Sequence, residues 1–137
     1  MNIKAFLYFN FVFILLLASC TPPQEKAEEQ YEMGRKLLLN SDSRSALTEF
    51  QKGLEYVPND ALLLYSCGNC YLNFRDYKTA IEYFTKAIDN NPKYADAYFN
   101  RGRAWFYLNE IDKSCDDYQK AQDLGRPNLA DLLKHCK

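Results

Sequence analysis

Two cysteines three residues apart, in the run Cys67-Gly68-Asn69-Cys70, are the residues of this chain whose types and spacing most directly suggest chemistry. A Cys-Gly-X-Cys pattern suits thiol–disulfide exchange, in which one thiolate attacks a disulfide and the second resolves the mixed intermediate. That reaction needs a lowered thiol pKa, which a helix N-terminus following a β-strand supplies. Nothing around Cys67 and Cys70 alternates like a strand, and the pair falls inside a helical pattern. The surroundings therefore predict two small residues packed between helices. A periplasmic thiol–disulfide protein using Cys67 and Cys70 is the alternative.

Zinc is the other chemistry cysteines offer. Cys67, Cys70, His135 and Cys136 make four potential ligands. His135 and Cys136 are adjacent on a predicted helix, however, and would point about 100° apart, which suits tetrahedral chelation poorly. No metal and no cofactor is expected. His135 is the single histidine, so the commonest general base is missing from most of the chain. Paired-carboxylate, Ser/His/Asp and phosphate-loop signatures are also missing, and an enzyme is not expected.

The elements that position these residues follow from size and repetition. At 137 residues the chain has room for one small domain, and 47% apolar with 26% charged residues is a globular balance. A net charge of −1 gives no electrostatic pull toward nucleic acid, and none is expected as a partner.

Gly34, Gly68 and Gly102 recur every 34 residues, and so do Ala46, Ala80 and Ser114. Phe50, Phe84 and Tyr118 keep the same step, as do Gly53, Ala87 and Ala121, and Leu37, Tyr71 and Trp105. Pro58 and Pro92 hold it too, while Pro127 arrives one residue late. A frame of small residues with this period and a closing proline resembles the tetratricopeptide repeat. The resemblance implies an all-α right-handed superhelix of three helix hairpins, at 27–60, 61–94 and 95–128, closed by a C-terminal capping helix within 27–137.

Local signals agree with that frame. A hairpin cannot bury its own apolar face, so neighbours must stack, and small residues let its two helices approach. Phe50, Phe84 and Tyr118 are expected to fill the space between hairpins. Asp42 and Asp76 fall where second helices begin, and Asn59-Asp60 before the next first helix, each with a carboxylate or amide to cap free N–H groups. Leu129, Leu132 and Leu133 in "NLADLLKHC" have helical spacing and predict the cap.

The N-terminus is organised differently. "AFLYFNFVFILLL" runs from Ala5 to Leu17 behind Lys4. As a helix it would rise ~20 Å, short of a ~30 Å hydrocarbon core, so it reads as a signal-peptide apolar region. Leu17-Ala18-Ser19-Cys20 resembles the lipobox of bacterial lipoproteins. That resemblance implies a signal peptide over 1–19 and, over 20–26, a lipidated Cys20 followed by the short tether "TPPQEK". Several acyl chains anchor stably where one does not. Thr21 in place of the aspartate that often retains lipoproteins in the inner membrane favours the outer membrane, facing the periplasm.

By register, the tetratricopeptide resemblance puts a concave groove on the first helix of each repeat. Its side chains would be Glu28, Tyr31, Arg35 and Leu38, then Leu62, Tyr65, Asn69 and Leu72, then Asp96, Phe99, Arg103 and Phe106, with Tyr107 at the rim. Tyr, Phe and Arg suit binding because they offer large area with few rotors and a planar donor fork. The implied partner is a protein or peptide, and the implied role is a membrane-anchored scaffold for cell-envelope complexes. Asn100-Arg101 is similar to part of the clamp with which some relatives grip a C-terminal carboxylate. Tyr31 and Arg35 stand where its first Lys and Asn belong, so no clamp is assigned. Cys115 lies in the column of Leu47 and Ile81, and Cys136 in the Gly column of the cap. A Cys115–Cys136 disulfide locking the cap is the expectation, with two separately buried thiols as the alternative.

Overall fold

The computed structural model describes residues 21–134 and 136, all of them helix or short connection. Six long helices follow one another as α1 (Pro23–Leu39), α2 (Ser43–Tyr56), α3 (Ala61–Asn73), α4 (Tyr77–Asn90), α5 (Ala95–Tyr107) and α6 (Ile111–Asp123). A short α7 (Ala130–Leu133) closes the chain. Helices α1/α2, α3/α4 and α5/α6 pair as antiparallel hairpins, and consecutive hairpins stack into a superhelix.

The helix boundaries are written in the sequence. Asp42 accepts a hydrogen bond from Ser45 N at 3.0 Å, and Asp76 one from Thr79 N at 3.2 Å. Asp60 accepts from both Leu62 N and Leu63 N at 2.9 Å. Each carboxylate satisfies N–H groups that the first helical turn leaves unpaired. The turns inside the three hairpins are alike: Ser41, Arg75 and Asn109 take φ of 61°, 62° and 63°. In the first, Ser41 N donates to Leu38 O and Asp42 N to Leu37 O, at 2.9 and 3.0 Å, and the other two repeat the pattern. This is a left-handed helix stop at a fixed register, reached without glycine.

The glycine column has a steric cause. A Cβ on Gly68 would fall 2.6 Å from Phe84 Cε1, and one on Gly102 would fall 2.9 Å from Tyr118 Cδ1. At Gly34 it would collide with the Phe50 ring. The aromatic column was expected between hairpins, but each ring is seated first against the glycine of its own hairpin. From there Phe50 also joins Leu63, Cys67 and Cys70 of the next hairpin in one buried cluster.

Both chain ends depart from expectation. Helix α1 starts at Pro23, inside the segment assigned to the tether, because a proline at the first helical position loses no hydrogen bond and already has helical φ. The cap helix is four residues long, and Cys136 lies beyond it. Gly125 and Asn128, with φ of 92° and 64°, bend the connection before Leu129, which is 3% exposed. Residues 1–19, expected to be a signal peptide, and Cys20, expected to be lipidated, lie outside the described residues.

Candidate functional site: the groove face of the first helices

Helices α3 and α5 lie side by side, and their facing residues form a polar row. Asn100 Nδ2 donates to Asn69 Oδ1 at 2.7 Å and to Tyr65 Oη at 3.0 Å. Arg103 donates to Asn100 Oδ1 at 3.3 Å. Asn100 is buried, so these bonds satisfy an amide that would otherwise be costly to enclose. They also fix the directions of Tyr65, Asn69 and Arg103, three of the residues that the register places in the groove. Asn100 itself was missed for this role. Its signal was a polar residue directly after a groove position, pointing at the neighbouring hairpin.

Beyond this row, α5 supplies an aromatic cleft. Phe99, Arg103, Phe106 and Tyr107 surround about 270 Å³ together with Tyr118 of α6 and Leu132 of α7. Phe106 and Tyr107 are 56% and 53% exposed, a large apolar area to leave in water. Tyr107 is held in place by stacking on Tyr77, with ring centroids 4.8 Å apart. Arg126, from the α6–α7 connection, pairs with Asp96 and lies 3.8 Å from the Phe99 ring centroid. Burial pushes the Tyr118 phenol up, against the lowering effect of the Arg103 charge.

The first repeat contributes less to this face. Arg35 pairs with Glu32 of its own helix at 3.0 Å and covers Tyr31, with 5.9 Å to the ring centroid. Tyr31 borders a separate dip with Glu28 and Leu62. Leu72 is buried and faces the core rather than a ligand.

Cys67 and Cys70 are free thiols with no exposed surface, in the middle of α3. Burial, and secondarily the neighbouring Cys70, pushes the Cys67 thiol up to about 12, and burial pushes Cys70 up to about 11. The attacking thiolate form is thus disfavoured at both sulfurs, and neither lies open to a disulfide partner. Cys115 and Cys136 are disulfide-bonded, with Cα atoms 5.5 Å apart, which withdraws Cys136 from any zinc set. Among the described residues no group of three or more His, Cys, Asp or Glu side chains could hold a metal ion.

On the other side of the third hairpin, Arg101 forms a bidentate pair with Asp117, Nε–Oδ2 2.8 Å and Nη2–Oδ1 2.7 Å, and donates to Thr85 Oγ1 at 3.1 Å. Arg101 stands in the column of Met33 and Cys67, and Asp117 in that of Glu49 and Tyr83. Opposite charges entering two facing columns together were a readable signal, and it was missed. Desolvation raises the Asp117 carboxyl despite this partner.

Tetratricopeptide repeat family models match residues 61–94 and 83–123. These hairpins are tetratricopeptide repeats. The first hairpin, 27–60, joins them by register and by the same seat of an aromatic ring on a glycine. A DnaJ homolog subfamily C member 3 homolog of Dictyostelium discoideum is 30% identical over 108 residues, 75% of this chain and 21% of that protein. The Hsp70-Hsp90 organizing protein of Triticum aestivum is 21% identical over 112 residues, 80% of this chain and 19% of that protein. The chain thus spans about a fifth of the length of these curated relatives. Among solved structures, the first tetratricopeptide domain of Spaghetti (RPAP3), bound to the HSP90 peptide SRMEEVD, superposes with a TM-score of 0.78. It is 24% identical, and the match covers 81% of this chain and 90% of that one. MamA superposes with a TM-score of 0.70 at 23% identity, covering 81% of this chain and 63% of that one. At these identities the likeness is one of fold.

Proposed function

We propose that this chain is a membrane-anchored scaffold that takes an extended peptide or a partner helix on the groove face of α1, α3 and α5. The observation that carries the reading is the oriented row Tyr65–Asn69–Asn100–Arg103 leading into a cleft edged by exposed Phe106 and Tyr107. Fixed polar groups beside exposed aromatic area are what a binding surface needs and a folding core does not. The RPAP3 domain of like fold holds a peptide, which supports a ligand of that size. Tyr31 and Arg35 replace the clamp's first Lys and Asn, so the end-group chemistry here differs.

The anchor rests on Leu17-Ala18-Ser19-Cys20, and the outer membrane and envelope assembly on Thr21 and on family resemblance. With α1 starting at Pro23, the first hairpin begins within a few residues of the lipid, so the partner is itself close to the membrane. Photo-crosslinking from position 106 in intact cells, with mass spectrometry of the adducts, tests the groove. One envelope protein should dominate, and adducts no different from those made at Glu82 on α4 would contradict it. Cys20→Ser should leave an unprocessed, unlipidated precursor. A mature acylated Ser variant would remove the anchor from the account.

A further inference from the structure

The C-terminal segment that walls the aromatic cleft is held to the rest of the fold by very little. Helix α7 has four residues, none of them buried, and only Leu129 ahead of it enters the core. Among the described residues the hydrogen bonds of 129–136 close within the segment: Leu133 N to Leu129 O, Lys134 N to Ala130 O and Cys136 N to Leu133 O. Its ion pair, Lys134–Asp131, is internal as well. Upstream, Arg126 is secured to Asp96 and Phe99. Everything after Leu129 is therefore tied to α6 chiefly through the Cys115–Cys136 bond. Leu132, in the middle of that stretch, is a wall of the cleft lined by Phe99, Arg103, Phe106, Tyr107 and Tyr118.

We infer that the Cys115–Cys136 disulfide is a redox gate on the partner-binding cleft, an inference that rests on the groove reading proposed above. Both sulfurs belong to half-buried residues at the surface, within reach of a dithiol reductant. Exchange with such a dithiol breaks the Cys115–Cys136 bond. The two cysteines take up the two protons and two electrons, and the reductant leaves as its own disulfide. A four-residue helix cannot hold itself together in water. On reduction, residues 130–134 and Cys136 therefore leave α6, with Leu129 and Arg126 as the hinge. Leu132 departs with them, and the cleft becomes a shallow, open aromatic face that grips a partner less well. Cys67 and Cys70 take no part, since burial in the first two hairpins keeps them from the reductant. The gate thus has one input and one moving segment.

Amide hydrogen exchange on the folded chain, oxidised and after dithiothreitol, tests the gate without any partner. Exchange at the hydrogen-bonded amides of Leu133, Lys134 and Cys136 should rise on the order of tenfold or more, while α3 and α4 keep their protection. The Cys115→Ser/Cys136→Ser variant should behave as the reduced protein does. Unchanged protection of the segment in both would overturn the gate, and so would loss of protection throughout α3 and α4, which would make the bond a global staple. Because the readout needs no ligand, it stands or falls apart from the groove reading. That reading fails separately if the oxidised protein binds nothing on this face.

Discussion

Gly68 and Phe84 touch as if they were one group: a Cβ on the glycine would fall 2.6 Å from Cε1 of the ring. Phe84 is fully buried, so the ring has nowhere to withdraw. Gly68→Ala should therefore force α3 and α4 apart and lower stability by about 1–3 kcal/mol, although alanine is the better helix former. Urea unfolding checks this. A variant as stable as the parent would mean that the seat is looser than described.

The second helices of the three hairpins differ in their N-caps. Asp42 and Asp76 cap α2 and α4, whereas Glu110, in the same register with nearly the same backbone (φ −90°, ψ 69°), makes no side-chain cap to α6. The extra methylene carries the carboxylate past the free N–H groups. Glu110→Asp should restore the cap and raise stability by about 0.5–1 kcal/mol, even though it gives up the exposed pair with Lys113. No gain in the urea midpoint would count against the capping argument.

Much of this was legible beforehand because it is periodic. The glycine column and the aspartate caps of α2 and α4 follow from a 34-residue step in the sequence. What escaped was aperiodic. Asn100 matters through Tyr65 and Asn69 of another hairpin, and Arg126 through Asp96 and Phe99, contacts that no local pattern encodes. The cap came out at four residues because Asn128, in left-handed geometry, and Leu129 ahead of the helix use up the start of the stretch that helical spacing had assigned to it. A substitution in step with the repeat can be read from sequence; a contact crossing between repeats needs coordinates.

Arg101 and Asp117 present a buried ion pair where neighbouring repeats are mostly apolar. Asp117→Ala alone strands a guanidinium that is only a fifth exposed, and should cost about 3 kcal/mol. Arg101→Met with Asp117→Leu should recover most of that loss, since the pair's attraction is offset by its desolvation. Urea midpoints of the single and double variants decide it, and a double variant worse than the single would contradict the argument.

The buried thiols give stability an alkaline limit. Their ordinary value is 9.0, and the fold raises Cys67 to about 12 and Cys70 to about 11. Above pH 9 the unfolded chain releases protons that the folded chain keeps. The stabilisation is therefore whole below about pH 9 and is lost as pH rises through about 11 to 12. Between about pH 8 and about pH 10.5 the wild-type urea midpoint should fall more steeply than that of Cys67→Ala/Cys70→Ala. Parallel slopes, or rapid alkylation of the native thiols at neutral pH, would return the pair to redox chemistry.

The groove reading has partners held on this face by Arg103 and the aromatic cleft. Its most direct test is the affinity of peptides selected from a random library on the oxidised domain, measured by calorimetry against Arg103→Glu/Phe106→Ala. Phe106 is exposed and Arg103 makes one side-chain hydrogen bond, so the double variant should keep the parent's helical circular dichroism. Loss of roughly 3 kcal/mol of binding or more, with folding intact, is expected when two hot-spot side chains go. Selected peptides that bind the variant as tightly as the parent, and lose affinity instead to Glu82→Ala on α4, would place the binding surface elsewhere.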